Sequence, residues 1–195
     1  MVADERLRTS VLTSLSHDLR TPLTTLVGLA DTLAERRETL PADTAETAGI
    51  IRDQAQAIEA IKRTFARRLR CMDTKQWEIY PTLHTDDVVS ETWDGLPGND
   101  NWTPTAGSKN RVVGKEPLTR AIRSLLDGGT TVTTVHHGHT PEIELTSDTT
   151  ATGIWAMEDK LWWTNGEAEE HLHGYGHYHE QYRLEHGRWL ISYRK

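Results

Sequence analysis

The chain has 195 residues, a formal net charge of −7 and one cysteine, Cys71. That length suits one domain of ordinary size or two small ones, the acidic balance argues against a nucleic-acid partner, and a lone cysteine excludes an intrachain disulfide framework. No apolar run is long enough to span a bilayer, and the opening MVADERLR lacks the basic-then-apolar order of a signal peptide, so a cytoplasmic protein is expected.

The first sixty or so residues are rich in Ala, Leu, Thr, Glu and Arg, a helical composition. Leu7, Val11, Leu15, Leu19, Leu23 and Leu26 recur at spacings of three and four, which predicts a helix with one apolar face running to about Arg37, bent locally at Pro22. Leu40 to Asp43 is the connection. Asp43 or Thr44 is a candidate cap for a second helix, with Glu46 in its first turn. Its apolar stripe is Ile51, Ala55, Ile58, Ile61, Phe65 and Leu69. No Gly or Pro interrupts from Ile50 to Met72, so this helix is expected to run straight into the second module. Cys71, flanked by Leu69, Arg70 and Met72, reads as a core-facing helical thiol. A two-helix hairpin alone buries too little apolar surface, so a second copy in a four-helix bundle is its simplest partner.

The composition then changes. No aromatic residue precedes Phe65, all seven tryptophans lie from Trp77 onward, and of the ten histidines only His17 precedes His84. The residues from Thr82 to Glu91 read as a loop entering a strand, and Leu96 to Asn110 as a long polar connection. Glu116 to Asp127 has helical spacing through Leu118, Ile122 and Leu125 and ends at Gly128-Gly129. Strands are predicted at Thr130–His137, Pro141–Leu145, Ala151–Leu161, Glu170–Leu184 and Arg188–Tyr193, the last two joined by a hairpin at Glu185-His-Gly187. Helices succeeded by antiparallel strands predict an α+β chain.

Two sets of residues carry chemistry. In Ser16-His-Asp-Leu-Arg-Thr-Pro-Leu23, a neutral His17 imidazole is a phosphoryl acceptor. Asp18 is placed to hold the other ring N–H, and Thr21, one turn on, to orient a water for the reverse hydrolysis. This run resembles the H-box of sensor histidine kinases. The wider pattern, Leu7-Arg-Thr, then Gly28 and Ile51-Arg-Asp-Gln-Ala, is most similar to the potassium-sensing kinases of that family. The resemblance implies a dimeric helical hairpin over residues 1–57 with His17 as phosphoacceptor, Asp18 as its acid–base partner and Thr21 as a phosphatase residue. Such kinases also need an ATP-binding domain, and no run such as Asp-x-Gly-x-Gly occurs after Ile61. The phosphoryl group is therefore expected from a kinase domain in trans or from a response regulator.

Residues 58–195 carry a second ordered set: Arg70-Cys-Met-Asp-Thr-Lys-Gln-Trp77, Thr85-Asp-Asp-Val-Val89, Thr134-Val-His-His-Gly-His139, Gly153-Ile-Trp-Ala-Met157, Gly174-Tyr-Gly-His-Tyr-His179 and Gly187-Arg-Trp189. They resemble the SnoaL-like branch of the nuclear-transport-factor-2-like superfamily. That implies a cone, a curved antiparallel sheet packed on helices, enclosing a pocket for a small apolar carbonyl-bearing ligand. Scytalone-dehydratase-like members pair an Asp at the end of the first helix with pocket histidines and tyrosines. Asp73 matches that Asp and His136 the first histidine. The second histidine position falls near Trp155, and Met72 stands where a tyrosine is expected. Proton abstraction beside a carbonyl then has Asp73 or Glu91 as base and His136 or Tyr178 as donor. Trp155 is the expected ligand-stacking residue, with Tyr178 and Glu91 beside the ligand.

Alternate histidines on a strand, such as His171, His173, His177 and His179, can chelate Zn²⁺, but a cage needs ligands converging from separate elements. The row is expected to cover a sheet face or a dimer interface, with no metal and no cofactor. Three readings are open. The chain is a two-module signalling-type protein, or a SnoaL-like lyase or isomerase whose hairpin is only a dimerisation handle, or an accidental fusion of the two.

Overall fold

The computed structural model describes residues 28–29, 31–33, 35–36, 41–91 and 111–195. The expected first helix lies only partly among them, and residues 28–29 and 31–33 are helical. The expected polar connection from Leu96 to Asn110 lies outside them. Leu40, where the connection before the second helix begins, lies outside them too. The chain divides into two compact units, Met1–Glu59 and Ala60–Lys195.

Helix α1, Ala42–Asp73, is unbroken, as the absence of Gly and Pro after Ile50 predicts. It begins directly after Pro41, so Asp43 sits in its first turn, where a carboxylate favours the helix dipole. Ala55, Ile61, Phe65 and Leu69 of the expected stripe are buried, whereas Ile50 and Ile51 are about half exposed. Cys71 is fully buried, and that burial pushes its thiol up, against the pull of Arg67 and Arg70. The helix ends in a Schellman motif. The Gln76 N–H donates to the Cys71 carbonyl at 2.8 Å, the Lys75 N–H donates to Met72, and Lys75 takes φ 55°.

After a short 3₁₀ turn, Tyr80–Leu83, come β1 (His84–Ser90), β2 (Val112–Val113) and α2 (Lys115–Asp127). Four more strands complete the order: β3 (Thr133–Leu145), β4 (Thr150–Asn165), β5 (Ala168–Glu185) and β6 (Arg188–Arg194). Among the described residues these form one six-stranded sheet in the order β2-β1-β6-β5-β4-β3. The α+β fold is as expected, and the sheet is mixed: the β1–β6 pair is parallel and the other pairs are antiparallel. The two strands predicted before and after Gly138-His-Thr140 are one strand, β3, whose register shifts between Gly138 and Pro141. Such a shift bends the strand and strengthens its twist. The β5–β6 hairpin turns on His186 (φ 50°) and Gly187 (φ 73°), the two consecutive positive φ values of a type I′ turn.

The core of the second unit lies between α1, α2 and the inner sheet face. Ile61, Phe65, Leu69 and Met72 from α1 and Leu118 and Leu126 from α2 are buried. From the sheet, the buried side chains alternate: Trp155 on β4, then Tyr178, Glu180 and Tyr182 on β5, then Trp189 and Ile191 on β6. Phe65 stacks on Trp155, with ring centroids 3.7 Å apart and planes 3° from parallel. The helix passes close to the sheet here: a Cβ at Gly138 would stand 2.2 Å from Phe65 Cε1, so only glycine lets the ring lie where it does.

Candidate active site

Asp73 is the last residue of α1 and His136 is near the start of β3, and the fold brings them together. His136 Nδ1 lies 2.6 Å from Asp73 Oδ1. The His136 backbone N–H donates to both carboxylate oxygens at 3.2 Å, and the Thr134 hydroxyl donates to Oδ1 at 2.8 Å. Lys75 Nζ approaches Thr134 Oγ1 from outside at 3.4 Å. A carboxylate at a helix C-terminus faces the negative end of the dipole, so these donors are what hold it there. Burial alone pushes the Asp73 carboxyl up. The His136 side-chain and backbone bonds and the Thr134 bond outweigh it and keep the group below the usual carboxylate range. An ionised Asp73 can only accept, so His136 Nδ1 carries a proton and donates it, and in the neutral ring Nε2 is left as an acceptor.

The inner face of β4 and β5 adds a second polar layer. Tyr178 donates its hydroxyl proton to Asp159 Oδ2 at 2.5 Å. Arg68, on α1, is fully buried, with its Nη2 2.8 Å from Glu180 Oε1. That approach is an ion pair off the hydrogen-bonding direction, since Arg68 Nε, Nη1 and Nη2 have no hydrogen-bond partner among the described residues. The guanidinium carbon also stands 4.6 Å from the Tyr178 ring centroid and 5.1 Å from that of Phe65, within cation–π range. Burial works against the Arg68 charge, but Glu180 and the surrounding tyrosines more than offset it and raise its pKa. Tyr182 donates to Glu180 Oε2 and accepts from Trp155 Nε1 at 3.1 Å. Burial raises the pKa of both Tyr178 and Tyr182, so both stay protonated donors near neutral pH.

The remaining expected site residues have other surroundings. Trp155 is buried, one ring face against Phe65. Glu91 is buried but turned to other partners: Tyr193 donates to its Oε2 at 2.8 Å, and Arg111 Nε lies 3.3 Å from Oε1. His17, Asp18 and Thr21 lie outside the described residues. The alternating histidines fall on the outer sheet face, where His173 Nε2 lies 2.7 Å from Glu158 Oε1 and Nδ1 lies 3.0 Å from the Tyr175 hydroxyl. No His, Cys, Asp and Glu group suited to a metal occurs among the described residues. No helix among them is long and apolar enough to cross a membrane.

Arg68, Glu180, Asp159 and Thr134 do not stand out in the sequence as site residues, although two of them carry a signal. Arg68 falls three residues after Phe65, inside the apolar stripe, and Glu180 sits between Tyr178 and Tyr182 in the inner row of β5.

Several solved structures share the fold. A candidate scytalone dehydratase from Novosphingobium aromaticivorans is 17% identical over 73% of this chain and 83% of its own, with a TM-score of 0.57. A hexachlorocyclohexane dehydrochlorinase from Novosphingobium barchaimii is 17% identical over 73% of this chain and 86% of its own, with a TM-score of 0.56. ActVI-ORFA from Streptomyces coelicolor is 12% identical over 71% and 94%, with a TM-score of 0.53. Residues 7–65 match the family model of the His Kinase A (phospho-acceptor) domain, and residues 53–195 match that of the SnoaL-like domain. With that second match spanning well over half of its length, the chain belongs to the SnoaL-like domain family, and it carries a histidine-kinase phosphoacceptor segment ahead of that domain.

Proposed function

We propose a two-module protein: residues 58–195 move a proton beside a carbonyl, as a lyase or isomerase does, and residues 1–57 are a phosphoacceptor and dimerisation segment. The observation that carries the first half is the 2.6 Å contact of His136 Nδ1 with an ionised Asp73. Asp73 fixes the tautomer and supports the positive charge that develops on the ring. His136 Nε2 takes the proton from the carbon next to a small apolar ligand's carbonyl, and the Tyr178 hydroxyl serves as the donor when it turns from Asp159 Oδ2 to the carbonyl oxygen. The dehydratase and dehydrochlorinase names among proteins of the same fold support the reaction class. In D₂O, carbonyl-bearing polycyclic and terpenoid compounds should exchange the proton next to the carbonyl; His136→Ala should abolish that exchange and Asp73→Asn should lower it by roughly a hundredfold or more. Binding seen as tryptophan quenching, with no exchange, would make the domain a receptor instead.

The second half rests on the H-box residues and on the phosphoacceptor match over residues 7–65. Leu29, Leu33, Ile50 and Ile51 are each exposed, and a second copy of the hairpin would cover such apolar side chains. His17 receives the phosphoryl group from a kinase domain in trans or from a phosphorylated response regulator. Incubation with either should leave an acid-labile phosphate that His17→Ala lacks. Equal absence of label in both proteins would remove this half and leave the hairpin as a dimerisation handle.

A further inference from the structure

Strand β5 outruns its neighbour on one side. It pairs with β4 from Arg183, opposite Thr150, to Ala168, opposite Asn165, without irregularity. On the other side β6 reaches only from Glu185 to Glu180, and Lys195 closes that ladder by exchanging two backbone hydrogen bonds with His179 at 3.0 Å. Among the described residues, no strand lies beside Ala168–Tyr178 on the β6 side, so this stretch is an open sheet edge.

The alternation of an antiparallel strand fixes which groups face that edge. His179 turns its N–H and C=O toward β6, so at steps of two His177, Tyr175, His173, His171 and Glu169 turn theirs the same way. Unpaired groups in a row are a template for another strand, and proteins that keep such an edge bare blunt it with proline, lysine or a bulge. Ala168–Tyr178 has no proline and no lysine, and its ladder with β4 has no bulge. Tyr175, on this edge, is 71% exposed, the most exposed large apolar side chain among the described residues.

The edge is complementary to itself. With His173 on a two-fold axis, Glu169 stands opposite the second copy's His177, an acid against an imidazole, and His171 stands opposite its Tyr175. On the other face Glu170 and Leu172 stand opposite its Gly176 and Gly174, so each longer side chain meets a residue without one. Moving the axis to Leu172 or Gly174 loses the Glu169–His177 pairs at both ends. The His173 ring leans toward β4, with Nε2 2.7 Å from Glu158 Oε1, so two imidazoles do not crowd the axis.

We propose that a second copy of this chain docks on this edge: Ala168–Tyr178 of two copies pair antiparallel about His173 and join their sheets into one. The contact uses neither the Asp73–His136 dyad nor residues 1–57, and it rests on no reading of what either does.

The test is disulfide linking in the whole chain. Cys71, the sole cysteine, is fully buried, so a cysteine placed on β5 reports alone. Opposed residues that exchange backbone hydrogen bonds have Cα atoms about 5.5 Å apart, within disulfide reach. Under mild oxidation His173→Cys should become a covalent dimer. His171→Cys and Tyr175→Cys should each stay unlinked alone and link to one another when co-expressed. Gln181→Cys, on the same face where β6 covers the edge, should stay unlinked. Because residues 1–57 are themselves proposed to dimerise, the position of the link decides, not the size of the oligomer. His171→Pro removes an N–H that faces only the edge, so the β4 ladder is kept, as retained near-ultraviolet circular dichroism would show. Added to His173→Cys, it removes two hydrogen bonds per dimer and should lower the yield of link roughly tenfold. No link at residue 173, equal linking at every position, or a link that the proline leaves intact overturns the inference.

Discussion

Arg68 and Glu180 meet 2.8 Å apart with both side chains out of reach of solvent. One comes from the C-terminal part of α1 and the other from the inner row of β5, so the pair pins the helix to the sheet by charge. Burying either group alone leaves an uncompensated ion, so breaking the pair costs more than replacing both.

Glu180→Gln should therefore destabilise the folded protein by about 3–5 kcal/mol, and Arg68→Met by a similar amount. The double variant Arg68→Met with Glu180→Leu should cost less than either single change. Urea unfolding of the four proteins gives the coupling directly. Additive losses would show that the two charges do not act as a pair.

His84 gives the protein an acid sensitivity well above the carboxylate range. Its Nδ1 lies 2.9 Å from the Tyr80 carbonyl oxygen, to which it donates, and its buried Nε2 has no hydrogen-bond partner among the described residues. Burial, then Arg194 and Arg68, drive the imidazole pKa down to about 3. The unfolded imidazole takes a proton near pH 6.5, while the folded one resists until about 3. Protons thus favour the unfolded state across that window, and stability falls as pH is lowered through it. His84→Gln should flatten the decline between pH 6 and about 4 in a series of urea midpoints. An unchanged slope would count against a neutral buried His84.

Asp73 acts lower on the pH scale and on a different readout. Its folded pKa is depressed, so its contribution to stability is complete above about pH 4 and is lost as pH falls through the folded value. Asp73→Asn should remove that acid-range component. It should also lower proton exchange by roughly a hundredfold to ten-thousandfold, because the amide no longer fixes the His136 tautomer or offsets ring charge. Ligand affinity should change little, and a large loss of binding with normal exchange would contradict the assigned role.

Gly138→Ala tests the close passage of α1 over β3. The added methyl meets the Phe65 ring at 2.2 Å, and that ring is locked against Trp155. Overpacking of this kind costs about 1–3 kcal/mol. The near-ultraviolet circular dichroism of the stacked rings should fall with it, and Phe65→Leu should relieve part of the loss in Gly138→Ala. A variant as stable as wild type, with its aromatic signal intact, would place the ring elsewhere.

The contrast between Asp73 and Arg68 explains what the sequence reveals and what it hides. The strands are legible because inner and outer residues alternate, and the hairpin at His186-Gly187 because two positive φ values demand turn residues there. The juxtaposition of Asp73 with His136 is legible through the family resemblance, since each sits at a recognisable place, a helix end and a strand start. Arg68 lies in the run Arg67-Arg-Leu-Arg70, where four residues in a row mix solvent and core faces, and only the helical phase from Phe65 singles it out. Asp159 is hidden for a different reason. Its place beside the dyad comes from the register that sets it opposite His136, and register depends on a β3 irregularity between Gly138 and Pro141 that local composition does not encode. Trp155 is expected from sequence to stack on a ligand, but Phe65 occupies one of its faces. That contact depends on a glycine on a third element, β3.

Cys71 sits two residues before Asp73 with no exposed surface. Because it is the chain's sole sulfhydryl, an alkylating reagent can react only when the last turn of α1 lifts away from its packing. The native protein thus contains its own chemical clock for that opening, placed beside Asp73 of the proposed dyad without any engineered label. The rate of modification, measured with and without ligand, reports how often the helix end lets go.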